Sequence, residues 1–245
     1  MLNELFDKWG SDKGAFHGPA HGYGPIYEAL TKNRNIECLI EVGVEFGNSL
    51  MAWGEAFPDA EICGIDRVLP TGFTLPNGNP VKLEYADQNR AESFRENDVI
   101  QEDWPMADII IDDGGHCMNH HWVTLAGLWR KLKPGGIYVI EDVHTCNLPP
   151  PSLMYGQPLQ NDCITTLDVL YSWKALNMLY SWQVLVGEPL PDINLYNPWV
   201  EKQVMDKICN EVERIAVFMD NQEIALFKSE FDSITKHGIA VIFKK

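Results

Sequence analysis

Two apolar runs that end abruptly in carboxylates constrain the fold of this chain more than any other feature. They read Ile109-Ile110-Ile111-Asp112-Asp113-Gly114-Gly115-His116 and Gly136-Ile137-Tyr138-Val139-Ile140-Glu141-Asp142-Val143-His144. Between them, Asn119–Leu132 has an apolar stripe at helical spacing, and Pro134 stops the pattern. Strand, helix and strand in this order predict a parallel pair whose acidic carboxyl ends lie side by side.

Three of these acids are predicted to form a cation site. Neighbouring strands lie about 4.8 Å apart, so Asp113, Glu141 and Asp142 should come within a few ångströms of one another. Clustered carboxylates repel, and oxygen ligands favour a hard cation such as Mg²⁺ or Ca²⁺. Consecutive strand residues point to opposite faces, so Glu141 and Asp142 converge only if the chain bends after Ile140.

The rest of the first 145 residues alternates strands with helices, which predicts a doubly wound α/β sheet. A glycine turn follows the first strand, and a Pro/Gly-rich loop precedes the third. The predicted strands are Glu37–Val42, Glu61–Asp66, Val81–Tyr85, Ala107–Asp112 and Gly136–Glu141, and the predicted helices are Asn48–Ala56, a polar helix from about Ala91, and Asn119–Leu132.

The whole chain, residues 1–245, is interpreted as one domain with specialised segments at both ends. Residues 1–30 show little periodicity before Ile26 and are predicted to form an ordered lid. Residues 145–163 are proline-rich and are predicted to form a loop on the substrate side. Further elements are expected as a helix at about Ile164–Trp182, a helix near Val200–Val212, and a C-terminal β-hairpin of Arg214–Met219 with Glu223–Phe227.

Composition narrows the class of partner. A formal net charge of −16 leaves no basic stripe for phosphates, so neither nucleic acid nor an anionic membrane surface is expected. A neutral or cationic small molecule is favoured instead. The six cysteines form no C-x-x-C pair, and the sequence shows neither a signal peptide nor 18 uninterrupted apolar residues. These features predict a cytoplasmic protein with reduced cysteines, and leave a homo-oligomer open.

A glycine-containing turn after the first strand is typical of ligand binding at a helix start. It spans Glu41 to Ser49, and Glu45 takes the place of the second glycine of a dinucleotide fingerprint, which disfavours a nicotinamide enzyme. Asp66 ends the second strand, where a carboxylate can accept ribose hydroxyls. Any one such acid could equally be a turn former or a helix cap. Acids after five successive strands fit a shared ligand edge better.

Taken together, these motifs resemble those of class I S-adenosylmethionine-dependent methyltransferases. Within that class the chain is most similar to the metal-dependent sugar O-methyltransferases of the mycinamicin and macrocin type, and more distantly to cephalosporin-hydroxylase-like proteins. The family's usual serine before the histidine is replaced by Gly115. The resemblance spans roughly residues 6 to 147 and rests on Gly10-Ser11-Asp12-Lys13-Gly14, Glu41 to Leu50, Phe57-Pro58-Asp59-Ala60, Asp87-Gln88, Asp112 to His116, and Val139 to Thr145.

The resemblance implies a mostly parallel seven-stranded Rossmann-like sheet with S-adenosylmethionine and Mg²⁺ as cofactors. It implies that the metal is held by Asp113, Glu141 and Asp142, with His116 as general base. Tyr23 and His144 would contact the acceptor. The cofactor would be bound by Ser11, Lys13, Glu41, Gly43, Glu45, Ser49, Asp66, Asp87, Gln88 and Asp112.

The activity expected from this resemblance is methylation of a hydroxyl, on a sugar of a glycosylated natural product. Metal coordination would acidify the hydroxyl, and the base would remove its proton. His116 and His144 both follow strand ends and compete for the role of base, whereas His120 and His121 are interpreted as ordinary helix residues. Two alternatives stay open: a catechol-type O-methyltransferase, and a non-catalytic auxiliary protein on the same fold.

Overall fold

The computed structural model describes residues 1–16, 21–72, 74–143, 170, 200–218 and 238–245. The strands are β1 (Cys38–Val42), β2 (Glu61–Asp66), β3 (Lys82–Tyr85), β4 (Ala107–Asp112), β5 (Leu132–Ile140), β6 (Val212–Phe218) and β7 (Ile239–Lys244). The helices are α1 (Leu2–Trp9), α2 (Gly24–Thr31), α3 (Asn48–Ala56), α4 (Glu92–Arg95), α5 (Met118–Leu128) and α6 (Lys202–Glu211), with single turns at Val99–Asp103 and Trp129–Lys131.

The strands form one seven-stranded sheet in the order β3-β2-β1-β4-β5-β7-β6. The first five strands are parallel, and β7 runs antiparallel to both β5 and β6. This arrangement confirms the predicted doubly wound α/β fold with an antiparallel pair at its C-terminal side. Strand order reverses between β1 and β4, so the ligand-binding crevice of such a fold lies at their carboxyl ends.

Apolar side chains cover both faces of the sheet in two separate layers. On one face, Phe6 of α1 and Trp53 of α3 pack edge to face with ring centroids 4.8 Å apart, over Leu39 of β1. On the other, Trp122 of α5 packs with Ile110 of β4. A strand buried on both faces needs a continuous apolar run, which is the pattern that marked these strands in the sequence.

Most element boundaries between residues 38 and 112 match the sequence prediction, but the β4–β5 connection does not. Helix α5 ends at Leu128, and β5 begins at Leu132 rather than at Gly136. A proline disfavours the helical conformation for the residue before it, which here is Lys133. Pro134 therefore extends the strand backwards instead of merely ending the helix.

The first thirty residues contain two helices where the sequence showed little periodicity. Helix α1 buries Leu2 and Phe6, and α2 buries Ile26 and Tyr27. Both pack beside α3, with the Tyr27 and Trp53 ring centroids 5.0 Å apart. Helices of eight residues give too few repeats for a clear periodic signal. That this segment acts as a lid remains a prediction.

A C-terminal antiparallel pair is present as predicted, with a different second strand. The first predicted strand corresponds to β6, but its partner is β7, an apolar run that the prediction overlooked. The segments predicted as Glu223–Phe227, as the loop 145–163 and, apart from Leu170, as the helix near Ile164–Trp182 lie outside the described residues. The predicted helix near Val200–Val212 is α6. None of the described helices combines the length and apolarity that crossing a bilayer would require.

Candidate active site

The carboxyl ends of β1, β4 and β5 bring the predicted acids together. In register, Val42 pairs with Asp112, and Asp112 pairs with Ile140. The ladder continues one residue further, because the Asp113 amide donates to the Val42 carbonyl at 2.8 Å and the Glu141 amide donates to the Asp112 carbonyl at 2.9 Å. The predicted juxtaposition of the two acidic strand ends is therefore present.

The chain bends at Asp142, as convergence of its carboxylate with that of Glu141 requires. Strand β5 ends at Ile140, and Asp142 has a φ of +52°, in the left-handed region. Non-glycine residues seldom adopt this conformation, and where they do the surrounding structure must hold them in place. Here Asp142 Oδ1 accepts a hydrogen bond from the Tyr23 hydroxyl at 2.6 Å.

Three side chains offer ligand atoms at distances suited to one cation. Atoms of Asp113, His116 and Asp142 all lie within 4.8 Å of one another. The Nε2 atom of His116 is 3.8 Å from Asp113 Oδ1 and 3.7 Å from Asp142 Oδ2. Two carboxylates and an imidazole are a donor set that accommodates Mg²⁺, and more readily Mn²⁺ or Zn²⁺. The residues thus fit a divalent ion.

Glu141, the third predicted ligand, is engaged on both oxygens. Its Oε2 lies 3.0 Å from the Lys13 ammonium, and its Oε1 accepts a hydrogen bond from the Tyr27 hydroxyl. Burial, followed by repulsion from Asp113, raises the pKa of Glu141 well above its ordinary value. The structure thus brings Glu141 next to Asp113 through a shared lysine, while its role as a metal ligand remains a prediction.

Lys13 occupies the centre of the acid cluster. Its ammonium lies 3.2 Å from Glu41 Oε1 and also pairs with Asp113 and Glu141. The side chain is only 1% exposed. Burial alone would lower the pKa of Lys13, but its carboxylate neighbours raise it well above its ordinary value. Ser11 is buried in the same turn, and its Oγ accepts a hydrogen bond of 3.4 Å from the Lys13 amide.

Sequence reasoning missed two residues of this cluster, Tyr27 and His21. Besides the Tyr27 bond to Glu141, His21 Nδ1 lies 3.6 Å from Asp142 Oδ1. Both belong to the first thirty residues, which are rich in histidine and tyrosine, and that composition was the only available signal. Tyr27 lies 114 positions from Glu141 in the sequence, and whether such a residue reaches the site depends on the path of the chain, which local pattern does not encode.

Lys13 also pairs with Glu41, the first residue of the predicted cofactor turn. Glu41 is fully buried, and its Oε2 accepts hydrogen bonds from Ser49 Oγ at 2.9 Å and from Trp53 Nε1 at 3.1 Å. Burial raises the pKa of Glu41 to about 6, against the opposing effect of Lys13. Glu45 is exposed in the turn with a φ of +47°.

Two predicted cofactor acids are used for local turns in the described structure. Asp66 Oδ2 accepts the amides of Val44 and Glu45 at 2.7 and 3.0 Å, which fixes the turn after β1. Asp87 Oδ1 accepts the Asn89 amide at 3.0 Å, and this bond lowers the pKa of Asp87. Turn formation, the alternative for a single acid, is therefore present at both positions. The cofactor role of Asp66 and Asp87 remains a prediction.

Gln88 and Asp112 connect three elements beneath the site. The Gln88 amide nitrogen donates to Asp112 Oδ1 and to Thr124 Oγ1, both at 2.8 Å, and its oxygen accepts the Gly115 amide at 2.7 Å. Asp112 is fully buried, and this burial raises its pKa to about 7. The Gly114 amide and the Tyr138 hydroxyl also interact with the Asp112 carboxylate, so it is held from several sides within the protein.

Two histidines interpreted as ordinary lie close behind the site on α5. His120 Nε2 is 3.0 Å from Asn89 Oδ1, and His121 is only 1% exposed. Burial, then the nearby His116 and His120, lowers the pKa of His121 to about 3. Both imidazoles are thus packed structural groups. His144, the competitor of His116 for the role of base, lies outside the described residues.

Sequence comparison supports the resemblance over part of the chain. No protein-family model matches. The chain is 32% identical over 157 residues to mycinamicin VI 2''-O-methyltransferase of Micromonospora griseorubida, covering 60% of this chain and 37% of that enzyme. It is 29% identical over 157 residues to demethylmacrocin O-methyltransferase of Streptomyces fradiae, covering 60% and 38%. The chain thus spans under two fifths of the length of these relatives.

Structural comparison extends the similarity to the whole fold. The MycE methyltransferase of the mycinamycin biosynthetic pathway, in complex with Mg and SAH, superposes with a TM-score of 0.66 at 22% sequence identity. The match covers 99% of this chain and 54% of MycE. A second MycE structure, with Mg, SAH and mycinamycin VI, gives a TM-score of 0.65. The chain therefore has the class I methyltransferase fold of MycE and is, over three fifths of its length, a sequence relative of sugar O-methyltransferases.

Proposed function

We propose that this chain is an S-adenosylmethionine- and Mg²⁺-dependent O-methyltransferase that acts on a sugar hydroxyl of a glycosylated natural product. One observation carries the proposal: a cation-compatible group of Asp113, His116 and Asp142 adjoins the buried Glu41 at the ligand edge of the sheet. The names of the sequence relatives favour a glycosylated acceptor over the catechol alternative.

The predicted residues divide into three groups by proposed role. Asp113, Asp142 and Glu141 would hold Mg²⁺, which when bound acts as a Lewis acid on an acceptor hydroxyl. Tyr23 and His144 would line the acceptor side. S-adenosylmethionine, which carries the methyl group on a sulfonium, would be held by Ser11, Lys13, Glu41, Gly43, Glu45, Ser49, Asp66, Asp87, Gln88 and Asp112.

His116 is proposed to remove the acceptor proton. Its Nε2 faces both Asp113 and Asp142 at under 4 Å, so a hydroxyl held between those carboxylates lies within reach of the imidazole. The same distances also suit a ligand role for His116. The two roles differ in their consequence: a base contributes to turnover alone, whereas a ligand also contributes to metal affinity.

The deciding experiment measures formation of S-adenosylhomocysteine with a panel of glycosylated macrolides and catechols, with and without EDTA. We expect turnover on a glycosylated acceptor only, loss of activity in EDTA and recovery with Mg²⁺. Asp142→Asn should raise the Mg²⁺ requirement and leave cofactor affinity nearly unchanged, and the exposed Asp59→Asn should behave as wild type. Full activity in EDTA would remove the metal from the proposal, and failure to bind the cofactor would favour the auxiliary-protein alternative.

A second experiment separates the two roles of His116. Loss of a general base is expected to lower kcat by about 10²–10⁴-fold, so His116→Ala should lose turnover on that scale. Calorimetric affinities for Mg²⁺ and cofactor should stay near wild type. A large loss of Mg²⁺ affinity would instead make His116 a ligand. The predicted cytoplasmic location remains part of the proposal.

A further inference from the structure

The proposed function places Lys13 in the cofactor group but does not account for the pairing of its ammonium with Asp113 and Glu141. The sequence resemblance assigned Lys13 only to the cofactor group. Among the described residues, it is the one lysine or arginine that pairs with Glu41, Asp113 or Glu141. A burial of 99% excludes a surface role for this charge.

Lys13 shares one carboxylate with the group that fits a divalent ion. Asp113 Oδ2 pairs with Lys13, whereas Asp113 Oδ1 faces His116 Nε2 at 3.8 Å. Glu141 similarly meets Lys13 on one oxygen and belongs to the predicted metal set. The ammonium and a divalent ion would therefore interact with the same carboxylates, Asp113 and Glu141, from adjacent positions.

The backbone holds Lys13 in this place. Its carbonyl accepts the amide of Tyr23 at 3.0 Å, and Tyr23 in turn bonds Asp142 through its hydroxyl. The connection between α1 and α2 thus sends two side chains, one cationic and one neutral, into the same cluster. Because Lys13 is part of the chain, its positive charge is in the cluster whether or not a metal ion is bound.

We propose that Lys13 acts as a built-in counter-ion of the metal centre. When no divalent ion is bound, its ammonium compensates the negative charge of Glu41, Asp113 and Glu141. The same ammonium repels a divalent ion and therefore weakens its binding. This inference rests on the proposed function for the presence of a metal site. Lys13 is a positioning residue in this role, because it acts on the metal through the carboxylates rather than on the substrate.

The opposing roles predict opposite effects of removing the charge. Without Lys13 the buried carboxylates repel one another uncompensated, so the metal-free protein should become less stable. A divalent ion should bind more tightly, because repulsion by a neighbouring ammonium at an effective dielectric constant of about 20 is worth more than a tenfold change in affinity. Loss of a merely structural contact would weaken metal binding or leave it unchanged.

The test measures Mg²⁺ affinity by calorimetry and melting temperature with and without Mg²⁺, for wild type, Lys13→Met and Lys8→Met. Lys8 lies in the same segment and pairs with Glu55 at the surface. The Lys8→Met variant therefore also loses one positive charge, but at a site outside the acid cluster. We expect Lys13→Met to bind Mg²⁺ at least about tenfold more tightly. Its melting temperature should fall without Mg²⁺ and recover with it, and Lys8→Met should match wild type in affinity.

Each other outcome also decides the question. Equal or weaker Mg²⁺ affinity in a folded Lys13→Met protein would overturn the inference and leave the proposed function intact. Wild-type protein that binds no Mg²⁺ would overturn the metal part of the proposed function itself. If Lys13→Met does not fold, Lys13→Gln, which keeps a polar donor, is measured instead. Failure of both to fold even in millimolar Mg²⁺ would also refute the inference, because a metal could not replace the lysine.

Discussion

At the scale of single residues, Gly115 and His120 fit one another. A Cβ atom at position 115 would overlap Nδ1 and Cε1 of the His120 imidazole. The serine that the related family usually has at this position therefore does not fit beside His120 as it stands. The glycine that replaces this serine therefore leaves the space that the His120 ring occupies.

Gly115→Ser is expected to destabilise the protein by about 1–3 kcal/mol, the usual cost of overpacking. The new side chain must displace His120, which then loses its contact with Asn89. Urea unfolding of the single variants and of Gly115→Ser/His120→Ala measures the coupling. We expect the serine to cost much less when His120 is alanine, and an equal cost in both backgrounds would contradict the steric explanation.

The buried His121 is expected to make the protein sensitive to acid. Its pKa is lowered to about 3 by burial, against an ordinary value of 6.5. Between these two values the unfolded chain binds a proton that the folded protein excludes. The free energy of unfolding should therefore decrease as the pH falls through this range, with a slope of up to about 1.4 kcal/mol per pH unit.

Comparison of wild type with His121→Asn isolates this contribution. Glu41 and Asp112 have raised pKa values and add a slope of the opposite sign, so the difference between the two proteins is the relevant quantity. Urea titrations at several pH values should show that the variant loses less stability on acidification than wild type. Parallel pH profiles would show that His121 takes up its proton normally in the folded protein.

At the scale of elements, the turn between β1 and α3 is pressed against the end of β4. Gly43 has a φ of +90°, and a Cβ there would overlap the carbonyl oxygen of Asp113. This contact joins the predicted cofactor turn to the predicted metal ligand through backbone alone. Any side chain at position 43 would therefore shift Asp113.

Gly43→Ala is compared with Gly135→Ala, a glycine of similar φ, +75°, whose Cβ would meet nothing. The left-handed conformation alone should cost each variant about 1–2 kcal/mol. Gly43→Ala should lose about 1–3 kcal/mol more, because the backbone must also move. Unfolding and Mg²⁺ titrations should further show weakened metal binding in Gly43→Ala alone. Equal behaviour of the two variants would rule out the contact as the cause.

The elements that the sequence predicted well are largely buried and bounded by turn residues. Strands β2 and β4 and helix α3 match their predicted bounds, because an apolar run between turn residues leaves few alternatives. Helix α1 and strand β7 were missed for different reasons. The helix is short, whereas β7 is an apolar run whose place beside β5 depends on long-range pairing.

At the scale of the whole molecule, the charge of −16 should oppose the compact state. Salt screens such repulsion, so the melting temperature should rise between low salt and about 0.5 M KCl, where the Debye length falls to a few ångströms. A variant with Asp59→Lys and Glu96→Lys has a net charge of −12, four units less negative, and should show a smaller rise. An equal rise in both proteins would point to an effect of salt unrelated to net charge.

The site as a whole was only half predictable from sequence. The carboxyl ends of parallel strands lie at one edge of a sheet, so the sequence alone predicted that Asp113 and Glu141 lie close together. The contributions of His21 and Tyr27 come from a segment far away in sequence. Their positions follow from how α1 and α2 dock on α3, and docking depends on packing rather than on local pattern.

The position of β7 has a consequence for the order in which the sheet is completed. Strand β7 lies between β5 and β6, although it follows both in the chain. Until residues 239–244 pair with β5, that strand keeps an open hydrogen-bonding edge. Strand β6 cannot join the sheet before then, because its partner is β7. Late closure of a non-local strand slows folding and leaves an edge that can pair with other chains. Pulse-labelled hydrogen exchange should accordingly find β5 amides protected on its β4 side before its β7 side.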